Sequence, residues 1–310
     1  MLALLLACVD RDPEEGTREA WRWPFTAESP WNMPAGAGLA LEATGAACTR
    51  AVQDDRVDAW VNAETWSHPV YHAVEGDPLA RLWEDGVLRG EVHMPRGATP
   101  SLPAWPDGDA HLHVFDPGSR MVTELWRARP RGDGDWDVDS VATVDLRGSG
   151  VGTDGVRIHG GSAIAGLWRD GEAAAGARHA LALSLPLAAL APTFVWPATE
   201  LSTSREASML GPVPVGQHVA LPRNWDVDAL TTPEGRALAV TLRDWGAYVV
   251  DHARGFALYA EPAAAAEADR MREDIDTIRA ALRCTTNNTA DTPGGPGERV
   301  APLAPDFAAD

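Results

Sequence analysis

The sequence is poor in basic residues, in tyrosine and phenylalanine, in cysteine and in long apolar runs. It contains no lysine, and its 26 basic residues stand against 45 acidic ones, which gives a formal net charge of −19. This balance argues against nucleic acid and anionic membrane surfaces as partners, because both bind surfaces rich in positive charge. No run of about 18 apolar residues is present, so no segment is predicted to span a membrane.

The chain has only three cysteines. The first, Cys8, ends an apolar start (Leu5-Leu6-Ala7-Cys8) that resembles the lipobox of bacterial lipoproteins, although a hydrophobic start without meaning is the alternative. We therefore predict a lipid-anchored or secreted protein with Cys8 lipidated, in which residues 1–20 are signal and polar tether. Export would permit a disulfide between Cys48 and Cys284, and sequence alone leaves that pairing open.

Several motifs that would identify an enzyme class are missing. There is no P-loop, no dinucleotide fingerprint after a strand, no HExxH and no GxSxG. Cysteine and histidine spacings typical of a zinc site are also absent. These motifs and spacings therefore predict no cofactor and no bound metal.

Tryptophan is abundant, with 13 residues against three tyrosines and five phenylalanines. An indole offers a large flat apolar face and one donor, which suits stacking on sugar rings. Burial in the core is the alternative for any single tryptophan. The composition is compatible with a polysaccharide or a cell-envelope glycan as the partner of a monomer.

Alternating apolar and polar residues predict many short strands. Asp109–Trp126 is predicted to form a hairpin around Asp116–Ser119, and Leu79–Met94 a second one around Glu84–Gly86. Further strands are predicted at Asp137–Leu146, Arg178–Leu185, Phe194–Thr199 and Gln217–Leu221, and a closing hairpin at Ala247–Ala260. The seven glycines of Gly148–Gly166 predict a long loop.

Helical periodicity appears only late in the chain. Thr232 and Pro233 predict the start of a helix that Gly246 ends, and Ala263–Arg283 is predicted to be a second helix. We therefore predict a mainly β fold over residues 21–284, an antiparallel β-sandwich or jelly roll of the concanavalin type with two appended helices. Residues 285–310 are predicted to be an irregular tail.

The candidate chemistry centres on the first hairpin. Period-two alternation places Asp109, His111 and His113 on one strand face, and Glu124 lies on the returning strand. A histidine can act as a base, an arginine can neutralise a sugar carboxylate, and paired carboxylates can hydrolyse a glycosidic bond. Catalytic roles are thus predicted for His111, Glu124, Arg157, Arg178 and His179, and substrate contacts for Asp154, Trp126 and Tyr248.

The order of several motifs resembles an uncharacterised family of exported bacterial proteins. The motifs are D-x-H-x-x-V-x-D (from Asp109), E-L-W (from Glu124), D-S-x-A-x-x-D-L (from Asp139), R-H-A-L (from Arg178), V-W-P-A (from Val195) and D-W-G-A-Y-V-V-D (from Asp244). The resemblance implies export and a β-rich domain, without an established activity. It also favours His111 over His113 as a functional residue.

Three functions remain open at this point. The first is cleavage of an acidic or neutral polysaccharide by a lyase or a glycoside hydrolase, and it is the leading prediction. The second is a metal site built on His111 and His113, with His159, His179 or a carboxylate as third ligand. The third is a non-catalytic surface lipoprotein that binds glycan or an envelope partner.

Overall fold

The computed structural model of the chain describes residues 17–118, 120–152 and 155–308. Its five α-helices are α1 (Ala47–Val52), α2 (Glu172–Ala175), α3 (Pro233–Asp244), α4 (Ala265–Met271) and α5 (Ile275–Ala281). Its strands are β1 (Thr17–Arg18), β2 (Ala59–Asn62), β3 (Val70–His72), β4 (Leu79–Glu84), β5 (Val87–His93), β6 (Leu112–Phe115), β7 (Met121–Trp126), β8 (Arg129–Pro130), β9 (Trp136–Val138), β10 (Ser140–Asp145), β11 (Leu181–Pro186), β12 (Leu190–Phe194), β13 (Val213–Val215), β14 (His218–Ala220), β15 (Ala247–Ala253), β16 (Phe256–Tyr259), β17 (Arg283–Cys284) and β18 (Asp306–Phe307).

Two sheets frame the interior. A six-stranded sheet, the large sheet, has the order β17-β14-β15-β11-β16-β2. A four-stranded sheet, the histidine sheet, has the order β10-β7-β6-β3. A further four-stranded sheet (β5-β4-β9-β8) and two strand pairs (β1-β18 and β12-β13) complete the described strands.

Alternation of side chains divides the core into three clusters. Odd-numbered residues of β11, such as Leu181 and Leu183, join the largest cluster, which includes Leu238 of α3 and Ile278 of α5. The opposite face of the large sheet and one face of the histidine sheet fill a second cluster, with Ala182, Tyr248, Phe115 and Val122 among its members. The other face of the histidine sheet packs on β4 and β5 in a third cluster. Each of these two sheets therefore buries apolar side chains on both of its faces, because other parts of the chain cover it on both sides.

Several predictions from the sequence are confirmed. The mainly β class is confirmed. Strands β6 and β7 pair antiparallel, as do β4 and β5 across the two-residue turn Asp85-Gly86. Both turn residues have positive φ (49° and 78°), the combination that a two-residue hairpin of this kind favours. Helix α3 begins after Thr232, whose side chain accepts a hydrogen bond from the Gly235 amide.

Other predictions are wrong. Strand pairing is mixed rather than antiparallel throughout, since β11 pairs parallel with β15 and β3 pairs parallel with β6. The closing hairpin does not form, because β11 lies between β15 and β16 and hydrogen-bonds to both. The single helix predicted at Ala263–Arg283 is two helices, α4 and α5, because residues 272–274 form a turn between them. The Asp274 carboxylate at the end of this turn accepts from the Thr231 and Thr232 amides.

A disulfide joins Cys48 to Cys284, with the two Cα atoms 6.1 Å apart. It ties α1 to the edge strand β17 of the large sheet across 236 residues of sequence. Among the described residues, no helix combines the length and the apolar character needed to cross a membrane. Cys8 lies outside the described residues.

Candidate functional site: a buried histidine cluster and a tryptophan surface

Three histidines meet on the inner face of the histidine sheet. His113 lies on β6 and His111 immediately before it, while His68 comes from the segment that leads into β3. The parallel pairing of β3 with β6 sets Val70 opposite His113, and the His113 amide donates to the Pro69 carbonyl at 3.0 Å. This pairing brings His68 beside two histidines that lie more than forty residues later. We call the three residues the histidine cluster.

The imidazole rings of the histidine cluster are in direct contact. The ring centroids of His68 and His111 are 4.4 Å apart, and those of His111 and His113 are 5.7 Å apart and stacked. His68 Nδ1 lies 2.9 Å from His113 Nε2. Their exposed fractions are 1% for His68, 7% for His111 and 0% for His113, so the cluster is sealed from bulk solvent.

One cation adjoins the cluster. Arg157 is 3% exposed and donates through Nη2 to His68 Nε2 at 2.7 Å. Its guanidinium lies 4.1 Å from the ring centroid of Tyr259, and its Nη1 is 3.8 Å from Asp251 Oδ2. The Asp251 carboxylate therefore partly balances the buried positive charge of Arg157.

Burial controls protonation in this region. It lowers the pKa of His68 and of His111 well below the ordinary value of 6.5, and the Arg157 charge adds to the effect. Burial, followed by the charge of Arg157, lowers the pKa of His113 to about 3. At neutral pH the cluster consequently consists of neutral imidazoles.

Glu124 faces the same interior from β7, in register with His113, but it does not join the cluster. Its carboxylate is fully buried and accepts hydrogen bonds from the Ser162 hydroxyl, the Ala163 amide at 2.9 Å and the Val156 amide at 3.3 Å. Burial raises the pKa of Glu124, whereas these hydrogen bonds act in the opposite direction. The carboxylate is thus occupied in holding the glycine-rich loop that follows β10.

Three further candidates lie elsewhere. Arg178 is exposed, whereas Glu124 is fully buried. His179 is buried and its Nε2 lies 3.0 Å from a Glu172 carboxylate oxygen. Tyr248 is buried, and its hydroxyl donates to Asn288 Oδ1 at 3.3 Å. The predicted group of catalytic residues is therefore split, and of its five members only His111 and Arg157 lie at the cluster.

An aromatic surface lies next to the segment that carries His111. The Arg127 guanidinium lies between two indoles, 4.4 Å from the ring centroid of Trp105 and 4.1 Å from that of Trp126. The Trp66 amide donates a hydrogen bond to the carbonyl of Leu102, which lies three residues before Trp105. Trp66 is 40% exposed, Leu102 57% and Trp105 38%. We call these five residues the tryptophan surface.

The tryptophan surface and the histidine cluster are linked through one short segment. Trp126 Nε1 donates to Asp109 Oδ1 at 3.3 Å, and the Arg127 amide donates to the Asp109 carbonyl at 2.8 Å. Two residues on, the His111 amide donates to the Ser101 hydroxyl at 2.9 Å. The predicted contact residue Trp126 belongs to this surface, whereas Asp154 lies outside the described residues.

Sequence reasoning missed His68, Asp251 and Tyr259. His68 precedes a proline in a segment that carried only a strand signal, and Asp251 and Tyr259 lie in strands predicted to form their own hairpin. Their proximity to His111 and Arg157 depends on parallel strand pairing over long sequence separations. The one local signal that found part of the cluster was the alternation of His111 and His113.

The chain matches no protein-family model, no curated protein and no solved structure.

Proposed function

We propose that the chain is an exported protein that binds a neutral polysaccharide through the tryptophan surface. The observation that carries this proposal is the exposure of Trp66 and Trp105, of which Trp105 lies against Arg127 and Trp66 is hydrogen-bonded to Leu102. Tryptophan is highly buried on average, so exposed indoles grouped on one surface indicate an interaction site. Leu102 is also exposed, and its carbonyl accepts from the Trp66 amide, which links Trp66 to the segment that carries Trp105.

Indole faces suit the CH-rich faces of sugar rings, since both are flat, apolar and bordered by polar atoms. The guanidinium of Arg127 is held by Asp139, whose Oδ2 accepts from Nη1 at 3.1 Å. Arg129 donates to the other oxygen of the same carboxylate at 2.7 Å. The rings of Trp105 and Trp126 are therefore supported by a fixed side chain rather than a mobile one, which lowers the entropy lost on binding.

Charge favours a neutral glycan over an acidic one. Asp139 and Asp109, which accepts from Trp126 Nε1, together balance the charges of Arg127 and Arg129 at the surface itself. The chain as a whole carries a net charge of −19 and repels polyanions at long range. A neutral polysaccharide meets neither obstacle.

Two features support export. The first is the Cys48–Cys284 disulfide, because such bonds form and persist in oxidising compartments. The N-terminal Leu5–Cys8 pattern suits lipidation of Cys8, which would hold the protein at the cell envelope. The tryptophan surface would then face the glycan of the envelope or of its surroundings.

Cleavage of the glycan receives less support from the geometry. A glycosidase needs two carboxyl groups that reach the substrate, whereas Glu124 is 0% exposed and fully hydrogen-bonded within the protein. A lyase needs an arginine and a base at the sugar carboxylate, whereas Arg157 and His111 are both at least nine-tenths buried. Binding without cleavage does not require Glu124, Arg157 or His111 to reach the glycan.

The proposal includes a sandwich arrangement of the large sheet and the histidine sheet. Side chains from both sheets fill one apolar cluster, which supports their face-to-face packing. Such a scaffold would hold the loops that carry Trp66 and Trp105 on a rigid base.

Affinity electrophoresis through gels that contain neutral or uronic-acid polysaccharides tests the proposal. We expect neutral glycans to retard the wild-type chain and uronic-acid glycans to leave its mobility unchanged. Trp66→Ala and Trp105→Ala should each weaken binding about tenfold, which corresponds to about 1.4 kcal/mol. Trp83→Ala is the matched control, since Trp83 also lies beside two arginines, Arg81 and Arg131, each 5.5 Å from its ring centroid.

Two results would reject the proposal. One is normal mobility of the wild-type chain in every neutral gel, and the other is an equal loss of binding in Trp83→Ala and Trp105→Ala. Incubation of the same glycans with the chain, followed by measurement of reducing ends and of unsaturated products, tests cleavage in parallel. New ends that depend on His111 would establish the enzyme hypothesis instead.

A further inference from the structure

The possible ligand atoms of the histidine cluster lie close to one another. One ring nitrogen from each of His68, His111 and His113 lies within 4.8 Å of the other two. Three nitrogens bound tetrahedrally to one zinc ion, at about 2.0–2.1 Å each, would be about 3.3 Å apart. The distance between any two of these nitrogens therefore needs to shorten by ~1.5 Å at most for all three to coordinate a single ion.

Hydrogen bonding in the cluster is incomplete without a ligand. Arginine only donates, so His68 Nε2 is the acceptor of the Arg157 hydrogen bond and carries no proton. The proton of His68 is then on Nδ1 and is donated to His113 Nε2 at 2.9 Å. Among the described residues, His111 Nδ1 and His113 Nδ1 are buried without a hydrogen-bond partner. Buried polar atoms without partners are uncommon and costly, which points to a missing ligand.

We propose that His68, His111 and His113 form a binding site for one divalent transition-metal ion, with zinc as the expected occupant. This inference goes beyond the proposed glycan binding and does not depend on it. Imidazole nitrogen suits zinc, copper and nickel, whereas magnesium and calcium require oxygen ligands. No carboxylate belongs to the three-histidine group, so the donor set excludes the latter two ions. Three protein ligands leave a fourth position for water or another small ligand.

Metal binding requires a rearrangement of Arg157. When His68 Nδ1 binds the ion, the proton on Nδ1 must leave, and the ring stays neutral only if Nε2 gains a proton. A protonated Nε2 cannot accept from Arg157, so that hydrogen bond breaks. Asp251 Oδ2, at 3.8 Å from Arg157 Nη1, is then the nearest anion for the guanidinium. The pair of Arg157 and Asp251 carries no net charge, which limits the repulsion between the arginine and the metal ion.

Metal titration of the full chain tests the proposal. After dialysis against a chelator, Zn²⁺ is added under calorimetric observation, with Mg²⁺ as the comparison ion and Co²⁺ as a visible-absorption probe of tetrahedral nitrogen ligation. We expect one Zn²⁺ per chain, no heat from Mg²⁺ and tetrahedral Co²⁺ bands. Zinc should also raise the thermal midpoint of unfolding, because the assembled site of the folded chain binds it more tightly than the unfolded chain does.

Single variants distinguish zinc binding at the histidine cluster from non-specific zinc binding to acidic side chains. His68→Gln and His111→Gln should each weaken Zn²⁺ binding by at least ~100-fold, more than the loss usual when a residue behind the ligands is removed. His93→Gln is the control, since His93 is half-buried and its ring contacts the Asp77 carbonyl at 3.1 Å. Equal Zn²⁺ uptake by His68→Gln and the wild type, or no uptake by the wild type, would overturn the proposal.

A measurement on the wild-type chain covers the case in which the variants do not fold. In ¹⁵N-histidine NMR spectra, Zn²⁺ should convert His68 Nε2 from an unprotonated to a protonated nitrogen, as the release of Arg157 requires. Zinc uptake without any change in the ring nitrogens of the three histidines would reject the site.

Discussion

Arginine supplies every permanently charged basic side chain of this molecule, because the sequence has no lysine. The planar guanidinium donates in several directions, which suits burial among carbonyl oxygens better than a lysine ammonium does. Arg18, 5% exposed, donates to the carbonyls of Trp23, Phe25 and Pro305, so that one side chain connects the start of the described chain to its end. Burial lowers the pKa of Arg18 to about 10, and it therefore stays charged at neutral pH.

At the residue scale, a substitution of Glu124 tests whether its carboxylate has a structural role or a catalytic one. We expect Glu124→Gln to lower the free energy of unfolding by about 1–3 kcal/mol, because an amide NH₂ would replace one acceptor of the Val156, Ser162 and Ala163 donors. Guanidinium unfolding followed by tryptophan emission measures the change.

The matched control for this prediction is Glu91→Gln on the exposed side of β5, which should change the free energy of unfolding by less than about 0.5 kcal/mol. Unchanged stability of Glu124→Gln would show that the loop does not depend on this carboxylate. Glu124 would then again be a candidate for catalysis.

At the element scale, α3 depends on its first residues. The Thr232 hydroxyl accepts from the Gly235 amide at 2.9 Å and donates to Asp274 Oδ2 at 2.8 Å, which joins the start of α3 to the break between α4 and α5. We expect Thr232→Ala to lower the free energy of unfolding by about 1–2 kcal/mol, since the helix loses its cap and Asp274 loses a donor. Thermal unfolding measured by circular dichroism checks this.

Thr232→Ser keeps the hydroxyl and should recover most of the lost free energy, which separates the capping bond from the packing of the methyl group. Equal destabilisation by the serine and alanine variants would assign the effect to packing. Asp274 would then connect the helices through the Thr231 and Thr232 amides alone.

Elements defined by neighbouring residues could be predicted from the sequence. Both hairpins with short turns and the capped helix α3 follow from alternation, turn residues and a threonine–proline start. These signals lie within a few residues of each other, so local physics decides them. The break at Asp274 escaped prediction because the apolar stripe from Met271 to Ile278 keeps helical spacing across it.

Partners brought together from distant parts of the chain could not be predicted. Insertion of β11 between β15 and β16 joins segments about 65 to 75 residues apart in sequence. No local sequence pattern shows with which other strand a given strand will pair. The candidate site depends on the same kind of contact, because His68 reaches His113 only through the parallel pair β3–β6. Alternation thus found two of three histidines, and topology supplied the third.

At the scale of the whole molecule, buried histidines connect stability to pH. Burial and then the charge of Arg157 lower the pKa of His159 to about 3. Burial lowers the pKa of His218 to about 4, although its hydrogen bond to the Trp245 carbonyl acts in the opposite direction. In the unfolded chain the pKa of a histidine is about 6.5. Between these values the unfolded chain binds protons that the folded chain does not, so the free energy of unfolding rises with pH.

The stabilisation from His159 and His218 is therefore present above about pH 6.5 and is lost as the pH falls toward 4. We expect each of them to contribute a slope of about 1.4 kcal/mol per pH unit in this window. Guanidinium unfolding of chelator-treated protein at a series of pH values measures the slope. His218→Gln keeps a donor for the Trp245 carbonyl but removes one titrating group, so its slope should be smaller by about 1.4 kcal/mol per pH unit. The same slope in His218→Gln and the wild type would show that His218 takes up its proton without unfolding, which the sealed position of its ring argues against.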